Sequence, residues 1–210
     1  YFISLTSQLV KTYKNIKEYN TIVNETRINS IVIGPGLSIN NKSIIKIKSA
    51  LKTNKRIVLD AGAISCFKGK LDIFRTILSG KDVIITPHEG ELKSILPNLS
   101  GNLISKAIQA AKILDTIVVL KGATTIIASP NNKAFVNPAG AKWLSTAGSG
   151  DVLAGIIGGL LSNKMETYYA AAYGVWLHSE AGKYLGPGMI AEDIPKNLTK
   201  ILKKLIKTKS

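Results

Sequence analysis

A chain of 210 residues that is 45% hydrophobic and 20% charged has the size and composition of one folded domain, so disorder is not the expectation. Its 28 basic and 13 acidic residues leave a net charge of +15, but the lysines are spread along the chain and no arginines alternate with aromatics, which argues against a nucleic-acid-binding motif. The longest apolar run, residues 152–161, contains three glycines and is too short for the roughly 20 residues that cross a bilayer.

The opening residues YFISLT read as a strand. Ser30–Ile33 is a β-branched run that stops at Gly34-Pro35-Gly36, and Ile44, Ile47, Lys48 and Leu51 then follow at helical spacing. The next short apolar runs are Arg56–Leu59, ending at Asp60, and 82–85, ending at Thr86-Pro87-His88. Helices are expected over 89–96 and Leu103–Leu114, and Ile117–Leu120 ends at Lys121-Gly122. Continuous apolar runs alternating with helices predict an α/β fold with a mainly parallel central sheet flanked by helices on both faces. Pro130-Asn131-Asn132 separates runs 124–128 and 133–136 as a hairpin. Beyond Gly150 the pattern is helical, over 151–162, 167–184 and 191–206. In the last of these Ile194, Leu198, Ile201, Leu202 and Leu205 make an apolar stripe opposite lysines. No linker or repeat interrupts the chain, so residues 1–210 are read as one domain.

Ligands of open parallel sheets bind beyond the carboxyl ends of the strands. The most pointed feature there is the turn Gly148-Ser149-Gly150-Asp151. Its glycines open a helix whose first N–H groups have no partners within the helix and so can hold phosphate oxygens. Asp151 could cap that helix, or accept a proton from a bound hydroxyl beside the phosphate; with Thr146 and Gly155 in the same stretch, the second role is favoured. Other strand ends are less pointed. Gly34 and Gly36 suit a tight turn or close approach to a ligand. His88 reads as a loop histidine, and Glu91 can close a capping box with it or with Thr86. Lys121 could meet a phosphate or lie on the surface. Asp60 could hold magnesium through water, or simply end its strand. Trp143, Trp176, Tyr168 and Tyr169 read as packing residues, and Cys66 as a small apolar one. Being the only cysteine, Cys66 rules out an internal disulfide, and His88 and His178 are too few for a histidine-rich metal centre.

The motifs GPGLS, VLDAGAI, TPHEGE, LKGATTII, NPAG and TAGSGDVLAGIIGGLLS occur in an order that resembles the ADP/ATP-dependent NAD(P)H-hydrate dehydratases, a ribokinase-like family, from about residue 31 to 193. The resemblance implies a three-layer sandwich and a repair reaction. Phosphoryl transfer from ADP or ATP, with Mg2+, to the hydroxyl of hydrated NAD(P)H is followed by loss of phosphate. It implies that Asp151 is the base and touches the hydrate, and that Gly148 and Gly150 hold phosphate. It further implies that Lys121, Gly122, Ala123, Thr124 and Thr125 line the nucleotide site, and that Gly36 and His88 contact the hydrate. No protein metal site is implied. The expected setting is cytoplasmic, with no signal peptide and no nucleic-acid or membrane partner. Members often form symmetric homo-oligomers and are often fused to an epimerase domain.

Three departures accompany the match. Gly62 and Ala147 stand where the family usually has aspartate and glycine, and the family has a further βα unit ahead of the segment matching Tyr1. Part of a longer product is therefore expected upstream. From the residues, two other readings remain open. One is a thiazole or pyrimidine alcohol kinase using the same Asp151 and turn, and the other is a catalytically degenerate nucleotide-binding relative.

Overall fold

The computed structural model describes residues 9–138 and 140–207, so the strand expected at YFISLT lies outside the described residues. The chain runs α1 (Ile16–Val23), β1 (Ser30–Ile33), α2 (Asn41–Leu51), β2 (Arg56–Leu59), α3 (Gly62–Ser65), α4 (Leu71–Leu78), β3 (Val83–Ile85), α5 (Glu89–Ile95), α6 (Leu103–Leu114) and β4 (Ile117–Leu120). It continues through β5 (Thr125–Ala128), β6 (Ala134–Asn137), a 3-10 turn (Lys142–Leu144), α7 (Ser149–Ser162), α8 (Thr167–Leu185) and α9 (Asp193–Lys207).

The strands lie side by side in chain order. β1 to β4 are mutually parallel, and β5 and β6 add an antiparallel hairpin beyond β4. Successive side chains of a strand point to opposite faces, and here both faces are buried. Ile57, Leu59, Val83, Ile85, Val118 and Leu120 pack on one side against Ile47 of α2, Phe74 and Leu78 of α4, and the alanines of α6. Val58, Ile84, Val119 and Ile127 point the other way, toward Leu153, Ile157, Ala171 and Val175 of α7 and α8. Crossovers of one hand that each advance one strand in the same direction leave their helices on a single face. The opposite face therefore waits for α7 and α8, which carries the start of α7 to the strand ends.

Local signals set most helix ends. Asn15, Asn40 and Asn102 cap α1, α2 and α6 through their side-chain oxygens. The capping box expected for the TPHEGE segment is present: His88 Nδ1 accepts from the Gly90 and Glu91 amides, and the Glu91 carboxylate accepts from the His88 amide. Helix α7 begins two residues before the expected start, so Asp151 lies inside its first turn. Helices α1, α3 and α4 add to the expected elements; in α4, Phe74 and Leu78 have helical spacing and both are buried.

Some packing expectations need correction. Trp143 and Tyr169 are 43% and 53% exposed, because one sits on the 3-10 turn and the other on the outer face of α8. Leu202 of α9 is also exposed, while Ile194 and Ile201 pack inward against Leu177 and Ala181. Cys66 is buried, as a small apolar residue would be. Among the described residues no helix is long and apolar enough to cross a membrane.

Candidate active site

The carboxyl ends of β2, β3 and β4 meet at one point. The backbone ladder runs a step past each strand: the Asp60 amide donates to Ile33 O, Thr86 to Leu59 O, and Lys121 to Pro87 O. These bonds fix three neighbouring backbones, so their side chains converge. Asp60 is 1% exposed and does not face solvent, as a magnesium ligand acting through water would have to. Its Oδ1 accepts from Lys121 Nζ at 2.6 Å and from Thr86 Oγ1 at 2.7 Å, and its buried Oδ2 has no partner. Lys121, with about a fifth of its side chain exposed, is held inward rather than lying on the surface.

The glycine turn faces the same point from the other layer. Gly148 takes φ 80° as the N-cap of α7, and no side chain caps that helix end. The Ser149 amide donates to Thr146 O at 3.3 Å, and the Gly150 and Asp151 amides that follow are open to an anion. A Cβ placed on Gly150 would come 3.4 Å from Lys121 Nζ, so the ammonium sits directly against the turn. Asp151 follows as the third helical residue. Its side chain is exposed and makes no hydrogen bond or ion pair with another described residue, so it is not serving as a side-chain cap.

A cavity of about 640 Å³ opens beside this junction. Its wall brings together His88, Lys121, Gly122, Ala123, Thr125 and Gly150. Thr124, Gly148, Asp151 and Gly36 are not on that wall. The apolar part is made by Leu144, Leu153 and Val175, which suits a flat ring. His88 also lines a second depression of about 750 Å³ with Cys66, Lys68, Lys70 and Glu91. Gly36 lies in the loop after β1, where the Leu37 amide closes a turn on Gly34 O. At Gly62, a Cβ would fall 2.1 Å from Leu37 O, so the backbone of that loop fills the space where an aspartate would stand.

Three further polar residues line the cavity: Asn137, which opens the NPAG segment, and Ser179 and His178, which belong to no motif. Asn137 and Ser179 are buried on its wall, and the Ser179 hydroxyl has no partner. His178 lies beside them, with Nε2 3.0 Å from both the hydroxyl and the carbonyl oxygen of Ser149. A sequence signal for His178 does exist. It falls on the face of α8 that carries Ala171, Gly174 and Ala181, and a histidine among such small residues is a buried one.

Burial pushes the His178 pKa from 6.5 down to about 4, with the nearby Lys121 charge adding to the effect and the Ser149 carbonyl opposing it. The unfolded chain then takes up this proton before the folded one does, so stability falls as pH drops from about 6.5 to about 4. The loss at the lower end is on the order of 3 kcal/mol. Thermal midpoints measured across this window should fall more steeply for the parent than for His178→Gln. Parallel curves would show that His178 does not carry the effect.

Known proteins share this chain's sequence and fold. A family model described as NAD(P)H-hydrate dehydratase matches residues 3–204. The ADP-dependent (S)-NAD(P)H-hydrate dehydratase of Neisseria meningitidis is 36% identical over 160 residues, covering 73% of this chain and 54% of that protein. Its counterpart in Xanthomonas campestris is 33% identical over 184 residues, covering 83% and 61%. The bifunctional NAD(P)H-hydrate repair enzyme Nnr of Gloeobacter violaceus is 34% identical over 160 residues, covering 76% and 31%. The chain thus spans less than two thirds of the length of these relatives. Among solved structures, the ADP/ATP-dependent NAD(P)H-hydrate dehydratase of Bacillus subtilis co-crystallised with ATP/Mg2+ aligns with a TM-score of 0.73 at 26% identity, over 89% of this chain and 69% of that one. A hydroxyethylthiazole kinase protein from Pyrococcus horikoshii shares the fold, with a TM-score of 0.66 at 18% identity over 88% of this chain and 75% of that one.

Proposed function

Since the chain belongs to the NAD(P)H-hydrate dehydratase family, we propose that it uses ADP or ATP to return hydrated NAD(P)H to NAD(P)H. The observation that carries this reading is the meeting of Lys121 with the open first turn of α7 on one cavity. A fixed ammonium and the unpaired amides of Gly150 and Asp151 converging on one place form a site for a phosphate chain. The apolar wall of Leu144, Leu153 and Val175 takes the base, and the segment 121–125 borders the nucleotide. Gly148 and Gly150 let the backbone approach the phosphates.

Asp151, exposed and unpaired just beyond Gly150, takes the proton from the hydroxyl of the hydrated ring as that oxygen attacks the terminal phosphorus. The nucleotide leaves one phosphoryl group shorter. The phosphorylated carbon then loses inorganic phosphate, the neighbouring carbon gives up a proton, and the ring double bond is restored. Gly36 and His88 border the hydrate in this reading. Magnesium would be carried in on the nucleotide's phosphates. There it would neutralise charge on the phosphoryl group being transferred.

The test is to supply the purified chain with chemically hydrated NADH, magnesium and ADP or ATP, and to follow the reduced-nicotinamide absorbance. Recovery should require the nucleotide and release inorganic phosphate in step. An accumulating phosphorylated product would make the chain a small-molecule kinase instead. Bound nucleotide without turnover on any hydrate would refute the repair activity.

A further inference from the structure

The junction of β2, β3 and β4 concentrates features that do not favour folding. Asp60 is a carboxylate at 1% exposure, and one of its two oxygens is left without a donor. The next residue, Ala61, takes φ 44° and ψ −117°, a backbone region that disfavours any residue with a Cβ. Buried ion pairs are weak sources of stability, because desolvation offsets the attraction. An unmade buried hydrogen bond and a strained backbone beside the pair add to the deficit. Such a concentration marks a place where geometry is held for another purpose.

What the arrangement does hold is Lys121 Nζ. A lysine side chain has four rotatable bonds and is a flexible point charge. Here its ammonium is fixed at 2.6 Å from Asp60 Oδ1, and that oxygen is itself oriented by Thr86 Oγ1 at 2.7 Å. The backbones of all three residues are tied by ladder bonds to the strands beside them. The fixed ammonium lies against Gly150, at the open end of α7. We propose that Asp60 is a positioning residue of the nucleotide site, whose buried carboxylate, oriented by Thr86, holds the Lys121 ammonium where the phosphate chain binds. The proposal rests on the reading of this cavity as a nucleotide site. Asp60 itself touches no phosphate and acts through Lys121 alone.

A double-mutant cycle on ligand binding tests it without the repair reaction. Affinities for ADP and for adenosine, which lacks phosphates, are measured by calorimetry for the parent, Asp60→Asn, Lys121→Met and the double variant. Asp60→Asn should weaken ADP binding about tenfold, the loss of one charge-assisted contact, and leave adenosine unchanged. Lys121→Met should weaken ADP in the parent background and have little further effect once Asp60 is Asn. Equal losses for ADP and adenosine would show a merely structural role, and additive losses, or ADP binding as tight as the parent's, would also overturn the proposal. If Asp60→Asn does not fold, Thr86→Val decides: a selective loss of ADP affinity supports positioning, and an unchanged ratio of ADP to adenosine affinity overturns it. A parent that binds neither ligand would overturn the nucleotide-site reading as well, an outcome distinct from binding without coupling.

Discussion

Asp151→Asn is expected to slow nucleotide-dependent recovery of NADH by about 10²–10⁴-fold while ADP still binds, the loss typical of removing a general base. Asparagine keeps the size and shape of the side chain but cannot accept the proton. The proposed phosphate site depends on the α7 amides and Lys121, which this change leaves in place. A negative side chain at the third position of a helix also interacts favourably with the helix N-terminus, by about 0.3–1 kcal/mol, so the variant should be slightly less stable. Single-turnover rates with saturating nucleotide, read beside the thermal midpoint, separate the two effects. Recovery at the parental rate would remove Asp151 from the mechanism, and loss of both rate and ADP affinity would make it a binding residue.

The second large effect is on folding. Gly34→Ala should destabilise the chain by about 4 kcal/mol, adding steric overlap to an unfavourable backbone conformation. Gly34 has φ 137°, and a Cβ there would fall 1.7 Å from the carbonyl oxygen of Asp60. The obstacle is backbone at the end of β2 and cannot rotate away. For a chain of this size the expected drop in thermal midpoint is about 8–16 °C. Gly36→Ala is the internal control, because Gly36 has φ 68° but nothing lies within 4 Å of the place a Cβ would take. There only the left-handed backbone counts, at about 1–2 kcal/mol. Similar losses at the two glycines would mean that the loop moves aside and that the contact with Asp60 is soft. The Gly34 substitution also pushes on the carbonyl of the residue whose carboxylate holds Lys121, so ADP affinity should fall along with stability.

Much of this architecture is readable in the sequence because its causes are local. Strand runs such as Ile117–Leu120 are short and continuously apolar, since both faces of the sheet are covered. The capping box of His88 and Glu91 lies within four consecutive residues. The glycine turn ahead of α7 is equally local, because left-handed backbone at Gly148 and an uncapped helix start follow from the residues themselves. The resemblance to the dehydratases rests on motifs of this kind. Helix α4 also has its pattern in the sequence, whereas the exposure of Trp143 and Leu202 has no local signature. Which side of a helix meets the core depends on its neighbours.

The pairings at the site belong to long-range packing. Asp60 and Lys121 are 61 positions apart, and each admits several readings alone. They meet because parallel register sets the ends of β2, β3 and β4 side by side, and burial then leaves the lysine one oxygen to bind. His178 and Ser149 are 29 positions apart on different helices, and their contact exists because α8 packs against the start of α7. The chain's local order thus determined the elements and the glycine turn, through backbone conformation and the period of its apolar residues. Which charges share the turn, and which polar groups are sealed from water around it, was decided when the layers packed, because burial and electrostatic pairing are properties of the assembled sheet.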